Sequence, residues 1–262
     1  MLGAVIGDII GSIYERNNIK TKTFELWNKE CRFTDDTVMT IAVGMALLDS
    51  KIEKNDFSAC LVSRLKEYGK EYPDAGYGKM FKEWIKQDNP APYNSFGNGS
   101  AMRASACGFF AESLNEAEHL GKESAEVTHN HPDGIDGAQA VSAAVFLAKT
   151  KHGKDEIKNY INDKFYPITQ SLDEIRKDYY FRVSCRGTVP QAIQAFLESS
   201  SFEDAIRNAI SIGGDSDTIA AITGGVAEAF YGIPDEIKDV GLSYLDEKLR
   251  NNILYLEKNL NM

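Results

Sequence analysis

Two short acidic segments contain the side chains best suited to chemistry. The segment TDDT (residues 34–37) precedes the apolar run VMTIAVGMALL, and GGDSDT (213–218) precedes IAAITGGVAEAF. Threonine and aspartate are common helix N-caps, and acids are favoured near the positive end of the helix dipole. A cap uses only one carboxylate, however, and neighbouring carboxylates repel each other. A bound cation would relieve that repulsion.

Both segments together have the composition of a metal site. Hard divalent cations such as Mg²⁺ take oxygen ligands from carboxylates, hydroxyls and water, and two neighbouring cations need several convergent acids. The two segments supply four carboxylates, those of Asp35, Asp36, Asp215 and Asp217, together with hydroxyl groups. We therefore expect them to form one metal site, and simple helix capping is the alternative interpretation.

Two further segments could bind a ligand. SFGNGSAMR (95–103) is a glycine-rich turn that runs into a predicted helix, so its backbone N–H groups could bind a phosphate. The alternative is an ordinary Asn-Gly turn. The segment THNH (128–131) places two imidazoles before another predicted helix. Either this is a surface turn or a histidine there donates a hydrogen bond to a substrate.

Helices must position these residues, because the apolar residues recur mostly at helical spacing. An apolar run at 1–13 predicts a buried first helix, in which Gly3, Gly7 and Gly11 are spaced for close helix packing. The one candidate strand is KDYYFRVS (177–184), and loops are predicted at 88–99, 130–137 and 211–214. The chain is thus predicted to be all-α, with further helices at 37–50, 57–72, 78–87, 101–110, 137–149, 189–198, 202–210, 218–231 and 242–260.

Composition narrows the function classes. The chain has 262 residues and a net charge of −10, from 29 Lys and Arg against 39 Asp and Glu. That charge disfavours nucleic acid and anionic lipid as partners. The four cysteines are scattered and form no Cys-x-x-Cys pair, which indicates a reducing, cytoplasmic setting. No run of about 18 apolar residues predicts a membrane span, and a single domain of residues 1–262 is expected.

In chain order, five segments resemble the ADP-ribosylglycohydrolase family, which includes the dinitrogenase reductase-activating glycohydrolases. They are GAVIGDIIGSIYE (3–15), FTDDT (33–37), FGNGSAMR (96–103), TH (128–129) and GGDSDT (213–218). The resemblance extends to about Tyr231. It implies a compact, single-domain, multi-helix orthogonal bundle with a binuclear centre of two divalent cations, Mg²⁺ or Mn²⁺, at the mouth of a cleft.

The same resemblance implies roles for individual residues. Glu15 is the acid that ends the first helix, and His131 has no assigned role. The implied metal ligands are Thr34, Asp35, Asp36, Asp215, Asp217 and Thr218. The implied ADP-ribose-binding residues are Ser95, Phe96, Gly97, Asn98, Gly99, Ser100, Met102, Arg103 and His129. Bound cations would reverse the local field, so that an acidic protein can bind a diphosphate.

The expected activity is metal-dependent hydrolysis of the glycosidic bond between ADP-ribose and a modified protein side chain or a small conjugate. Arginine is the preferred side chain and serine the second. Asp35 or Asp36 is expected to be the general base, with Glu15 as an alternate acid. Two other functions stay open: a non-catalytic ADP-ribose-binding or structural homologue, and a metal-dependent phosphoesterase that cleaves the diphosphate.

Overall fold

All regular structure in the described part of the chain is helical, as predicted. The computed structural model describes residues 1–260. Its helices are α1 (Leu2–Gly11), α2 (Asp35–Glu53), α3 (Phe57–Glu71), α4 (Lys79–Trp84), α5 (Gly99–Met102), α6 (Ser105–Phe110), α7 (Leu114–Glu126), α8 (Pro132–Lys149), α9 (Lys154–Lys164), α10 (Leu172–Asp178), α11 (Cys185–Leu197), α12 (Phe202–Ser211), α13 (Ser216–Tyr231), α14 (Asp235–Ser243) and α15 (Glu247–Asn259).

Several local predictions need correction. The candidate strand 177–184 is wrong, because α10 extends to Asp178 and the following segment makes one isolated bridge, from Ser184 to Gly97. The loop predicted at 130–137 is also wrong, since α8 begins at Pro132, a residue that favours the first turn of a helix. Each of the helices predicted at 101–110 and 242–260 is divided in two. The domain predicted for residues 1–262 stays a prediction, and its last two residues lie outside the described range.

Close backbone packing between α1 and α13 is the feature that positions the site. Every residue of α1 is buried. A β-carbon on Gly7 would lie 2.0 Å from the carbonyl oxygen of Ala220, and one on Gly11 would lie 2.5 Å from Cα of Asp217. Only glycine therefore allows the two helices to approach this closely, which confirms the predicted packing role of these glycines.

α13 lies at the centre of the structure and packs against α1, α8, α11 and α12. It is buried along nearly its whole length, and its N-terminus points to the N-terminus of α2, where Thr218 contacts Asp36. Within the described residues, no helix combines the length and the apolar character required to span a membrane. The fold thus brings the two acidic segments, 182 residues apart in sequence, into contact.

We expect Gly7→Ala to lower the free energy of unfolding by at least about 2 kcal/mol, because the new methyl group would overlap the backbone of α13. Urea denaturation followed by circular dichroism measures this change. Gly78→Ala is the matched control, since a β-carbon there meets nothing within 4 Å. Its effect should stay within about 0.5 kcal/mol. Equal stability of the two variants would contradict the packing argument.

Candidate metal centre and binding cavity

A cavity of about 910 Å³, hereafter the large cavity, contains both acidic segments in its lining. Its volume falls in the range of small-molecule and cofactor sites. The N-terminal ends of α2 and α13, the loop after α1, the loop before α4 and the glycine-rich segment form its walls. Residues that had been singled out in sequence and that line this cavity are Glu15, Thr34, Asp35, Asp36, Ser95, Gly97, Asn98, Gly99, Met102, Arg103, His129, Asp215, Asp217 and Thr218.

Asp8 is the residue beneath this site that sequence reasoning missed. It is fully buried in α1, and four donors from the TDDT segment surround its carboxylate. The hydroxyls of Thr34 and Thr37 donate to it at 2.6 and 2.5 Å, and their backbone N–H groups donate at 2.8 and 3.1 Å. Asp8 therefore fixes the first turn of α2 against α1.

Five acids from three parts of the chain form what we call the carboxylate cluster: Asp8, Glu15, Asp36, Asp215 and Asp217. One oxygen each from Asp8, Asp36 and Asp217 lies within 4.8 Å of the others, and the same holds for Glu15, Asp215 and Asp217. Asp217 belongs to both sets. Asp35 lines the large cavity but belongs to neither set, and it is half-buried.

Helix capping does not explain the four aspartates of the two acidic segments. Thr34 is the N-cap of α2, and its hydroxyl accepts from the N–H of Asp36 at 3.3 Å. Asp215 is the N-cap of α13 but makes no side-chain capping bond. Asp217 accepts only the local N–H of Thr218, at 3.0 Å. Capping therefore accounts for Thr34 at the start of α2, but it gives no role to the carboxylates of Asp35, Asp36 and Asp215.

Crowding raises the pKa of these carboxyl groups. Burial is the first cause for each of Asp8, Asp35, Asp36 and Asp217, and repulsion from neighbouring acids adds to it for the last three. The pKa of Asp35 is raised to about 7, and those of Asp36 and Asp217 lie well above the ordinary value. Without a cation, the carboxylate cluster therefore retains protons that an exposed aspartate would lose.

The loop between α1 and α2 holds the glycine turn that precedes Asp215. Gly213 and Gly214 both have positive φ, +73° and +78°, which glycine adopts without strain. The Asn18 side chain accepts from the N–H of Gly214 at 2.7 Å and donates to its carbonyl at 2.8 Å. Lys20 donates to the carbonyl of Ile212 at 2.5 Å. These bonds fix the backbone from which Asp215 projects.

A second part of the large cavity is cationic. The Arg103 guanidinium is buried and donates to Thr128 Oγ1 at 2.8 Å and to the carbonyl of Ser124 at 2.7 Å, while its Nε has no partner among the described residues. Burial lowers the pKa of Arg103 to about 10, which still leaves it charged at neutral pH. It forms no ion pair within residues 1–260.

The same network orients His129. Thr128 Oγ1 accepts from Arg103 and lies 2.7 Å from Nδ1 of His129. In the tautomer in which Thr128 donates to Nδ1, Nε2 bears the ring proton and is a donor. This nitrogen lies at the glycine-rich segment, 3.2 Å from where a β-carbon on Gly99 would stand. Burial, with the nearby charge of Arg103, holds the pKa of His129 well below its usual value, so the ring is neutral.

The glycine-rich segment has a different geometry from a simple phosphate loop. The N–H groups of Gly97 and Asn98 are already donated, to Ser95 Oγ at 3.1 Å and to the carbonyl of Val183 at 2.7 Å. α5 contains only four residues, and Gly99 does not have positive φ. The N–H groups of Gly97 and Asn98 are therefore not free for a ligand, and Gly99 adjoins His129.

Other predicted residues of this segment have internal partners. The Asn98 amide donates to Asp215 Oδ2 at 2.7 Å and to Thr188 Oγ1 at 3.2 Å, so it orients a member of the carboxylate cluster. Ser100 is fully buried and donates to the carbonyl of Gly134 at 2.7 Å. Phe96 is exposed and contacts the ring of His131. Neither Phe96 nor Ser100 is in the lining of the large cavity.

The carboxylate cluster fits divalent cations on the chemistry of its donors. Oδ1 of Asp36 is buried without a hydrogen-bond partner in the described part of the chain, although buried polar atoms are normally paired. Its neighbours are hard oxygen donors, which Mg²⁺ and Mn²⁺ prefer over sulfur or nitrogen. Two sets that share Asp217 would suit two neighbouring cations.

Comparison with known proteins identifies the family. The ADP-ribosylglycohydrolase family model matches residues 1–258. The chain belongs to the ADP-ribosylglycohydrolase family. It is 24% identical to the mouse (Mus musculus) ADP-ribosylhydrolase ARH3, with 89% of this chain and 83% of that protein covered. It is 26% identical to the ADP-ribosylarginine hydrolase Tri1 of Pseudomonas putida strain GB-1 (97% and 76% covered).

Two further likenesses agree with this membership. The chain is 27% identical to the ADP-ribosyl-[dinitrogen reductase] glycohydrolase of Rhodospirillum rubrum, with 96% and 90% covered. A solved structure described as an ADP-ribosylglycohydrolase-related protein complex superposes with a TM-score of 0.72 at 22% identity, covering 100% of this chain and 96% of that one. The predicted family and fold are thereby confirmed, and membership supports hydrolysis of ADP-ribose linkages.

For this protein, we expect Mn²⁺ or Mg²⁺ to raise the melting temperature, and to do so more at about pH 7.5 than at about pH 5.5. Because the folded pKa values of Asp35, Asp36 and Asp217 are raised, the folded chain binds more protons than the unfolded chain above about pH 4. Stability without metal therefore falls as the pH rises through these values, and a cation offsets that loss. Differential scanning fluorimetry after EDTA treatment measures both effects.

Asp217→Asn removes the carboxylate shared by both sets. In EDTA at the higher pH this variant should melt above the parent protein, since repulsion is relaxed, and it should lose most of the metal-induced shift. Asp74→Asn is the matched control, because Asp74 lines the large cavity outside the carboxylate cluster. An undiminished metal-induced shift in Asp217→Asn would remove this cluster as the metal centre.

Proposed function

We propose that this protein hydrolyses the glycosidic bond between ADP-ribose and a side chain of a modified protein, with two divalent cations, Mg²⁺ or Mn²⁺, as cofactors. The observation that carries the proposal is the pair of carboxylate sets sharing Asp217 at the edge of the large cavity. The glycine-rich segment links them to Arg103 and His129, since Asn98 bonds Asp215 and Gly99 adjoins His129. The carboxylate cluster and the cationic side of the cavity would thus contact the same ligand.

Arginine is the preferred linkage and serine the second. The name of the Pseudomonas relative states that it acts on ADP-ribosylarginine, and that relative matches 97% of this chain. A small ADP-ribose conjugate is the third substrate included in the proposal. The support for arginine comes from the relatives.

The partner in this proposal is an ADP-ribosylated protein in the cytoplasm. A net charge of −10 opposes binding of nucleic acid and anionic lipid. The four cysteines are all free thiols, which is typical of a reducing compartment.

The positive charge that develops on the reacting ribose determines what the acidic residues of the site must do. Glycoside cleavage passes through an oxocarbenium-like transition state, which carries positive charge on the sugar ring. When bound, the cations would supply charge that compensates the carboxylate cluster and polarises oxygen ligands. Asp36, Asp215 and Asp217 are the proposed residues to hold them, with Thr34 and Thr218 beside these acids, while Asp8 orients Thr34 from beneath.

Asp35 is the best placed general base. Its carboxyl group is half-buried at the cavity wall and lies outside both carboxylate sets. Its backbone N–H donates to the carbonyl of Ala75 at 2.8 Å, which fixes its position. Asp35 would accept the proton of the attacking water. Asp36 and Glu15 are the alternatives, and both are members of the sets.

The anionic diphosphate is assigned to the cationic part of the large cavity. Arg103 is buried without an acidic partner in the described residues, so its charge acts in a region of low dielectric. His129 would donate from Nε2 to a ligand oxygen. Arg103 and His129 would thus position the anion, and the glycine-rich segment packs against His129.

We expect the protein to release intact ADP-ribose from an ADP-ribosylarginine peptide when Mg²⁺ or Mn²⁺ is added, and to do so faster than from a matched ADP-ribosylserine peptide. Liquid chromatography with mass spectrometry identifies the product. Release of AMP would instead support the phosphoesterase. Tight binding of ADP-ribose by calorimetry without turnover of either peptide would support the non-catalytic homologue.

Asp35→Asn provides the internal control for this assay. It should lower kcat by more than about 100-fold, as expected for a general base, while the metal-induced shift in melting temperature is retained. Asp36→Asn should lose both activity and that shift. Loss of the shift in Asp35→Asn as well would place Asp35 among the metal ligands and leave Glu15 as the base.

His129→Ala should raise Kd for ADP-ribose by about 5- to 30-fold, the equivalent of one hydrogen bond to a charged group, and retain measurable turnover. Because the pKa of His129 is held low, this residue should not add an acid limb near pH 6.5 to kcat/KM of the parent protein. Calorimetry and a pH–rate profile measure these effects.

His131→Ala is the matched control, since His131 caps α8 by accepting from Asp133 N–H and is not in the cavity lining. It should cost about 1 kcal/mol of stability without changing Kd. Complete loss of turnover in His129→Ala at saturating substrate, with metal binding intact, would make His129 the base.

A further inference from the structure

A second cavity, of about 550 Å³, borders the large cavity and is rich in lysine. The end of α3, the loop that follows it and α4 form this lysine cavity. Lys86 pairs with Glu83 at 2.9 Å. No ion pair within the described residues involves the other lysines of its lining, which are Lys70, Lys79 and Lys82. On a chain of net charge −10, this is a local concentration of uncompensated positive charge.

Tyr77, which lines both cavities, is a buried donor without a partner among the described residues. Tyr77 is 4% exposed, and its hydroxyl makes no hydrogen bond to any described residue. Burial raises its pKa, so the hydroxyl keeps its proton at neutral pH and can donate. The ring packs against Phe81 with centroids 5.2 Å apart, which holds Tyr77 in the wall between the two cavities. A buried hydroxyl left unpaired costs free energy that a bound ligand can recover.

The two cavities share a wall at the reacting end. Pro73, Tyr77 and Lys79 line both of them. The loop that contains Pro73 and Tyr77 also holds Asp35, through the bond from Asp35 N–H to the carbonyl of Ala75. One side of this loop thus faces the proposed base and the other faces the lysine cavity. A protein chain attached at the reacting ribose would pass this loop.

We propose that the lysine cavity binds an acidic segment of the ADP-ribosylated protein, with Asp or Glu side chains a few residues from the modified one. This inference rests on the proposed function and adds a preference for acidic flanks. Lys70, Lys82 and Lys86 would pair with the carboxylates, while Pro73 and Ile85 offer apolar surface to the peptide backbone and stems. The net acidity of the remaining surface would direct such a segment to this one place.

The proposal is tested with two ADP-ribosylarginine peptides that differ only in the residues flanking the modified arginine. One peptide has glutamate flanks and the other has glutamine flanks. For the parent protein we expect KM to be about tenfold lower with glutamate flanks, and this preference should weaken as salt is added. The preference should disappear in the variant that combines Lys70→Gln, Lys82→Gln and Lys86→Gln. Its kcat on free ADP-ribosylarginine should equal that of the parent, because none of these lysines lines the large cavity.

A charge-matched variant controls for the overall loss of positive charge. It combines substitutions at exposed lysines that line neither cavity, namely Lys29→Gln, Lys177→Gln and Lys258→Gln. This variant should retain the preference for glutamate flanks. Equal loss in both variants would mean that net charge, and not the lysine cavity, attracts the peptide, and the proposal would then be overturned.

A binding measurement separates failure of this proposal from failure of the proposed function. The probe is a fluorescein-labelled peptide with glutamate flanks and no ADP-ribose. Its fluorescence anisotropy should increase when the parent protein is added, and it should bind about tenfold more weakly to the variant with the three lysine substitutions. Binding without hydrolysis of any ADP-ribosyl peptide would refute the function and support the docking site. Hydrolysis with equal KM for the glutamate and glutamine peptides, and no change in anisotropy, would refute the docking site. Complete displacement of the peptide by inorganic phosphate alone at low concentration would also refute it.

Discussion

Repulsion among buried carboxylates is the constraint on which the rest of this structure depends. Asp8 is fully buried, and Asp36, Asp215 and Asp217 are each at most 7% exposed. Within the described residues none of these four forms an ion pair, so their burial is uncompensated by positive side chains. Hydrogen bonds from Thr34, Thr37 and Asn98 reduce the cost but supply no net charge. Glu15, the fifth member, pairs with Arg16 at 3.0 Å, whereas the other four can be neutralised only by protons or by cations from solution.

Helix packing holds the acids together despite that repulsion. Asp8 lies on α1 and Asp217 on α13, and the two helices are in direct backbone contact because glycines remove the side chains between them. Thr34 and Thr37 tie α2 to Asp8 at one end of the same contact. The apolar core therefore stabilises the fold, whereas repulsion destabilises the carboxylate cluster. A bound cation would relieve that repulsion.

Features that are close together in the sequence could be predicted, and features that depend on distant residues could not. The TDDT and GGDSDT segments were visible because several oxygen donors stand side by side before an apolar run. Asp8 was visible only as one acid in an apolar helix, since its partners Thr34 and Thr37 lie 26 and 29 residues away. α9 was missed because it buries only Ile157 and Ile161, and α7 because its buried face is made of small and polar residues. The internal bonds of Asn98 and Ser100 depend on tertiary contacts that no spacing reveals.

The large cavity of this acidic chain has a cationic wall, to which the proposed function assigns the diphosphate. Arg103 lies where burial has removed both water and acidic partners, so its field extends into the large cavity with little screening. Thr128 bonds both Arg103 and Nδ1 of His129, which leaves Nε2 of a neutral ring beside the glycine-rich segment. Asn98 then connects this neutral and cationic wall to Asp215, across 117 residues of sequence. Because Asn98 is also held by its backbone bond to Val183, a shift of the glycine-rich segment would move Asp215 with it. The positions of the cationic wall and of Asp215 are therefore coupled through the same residue, Asn98.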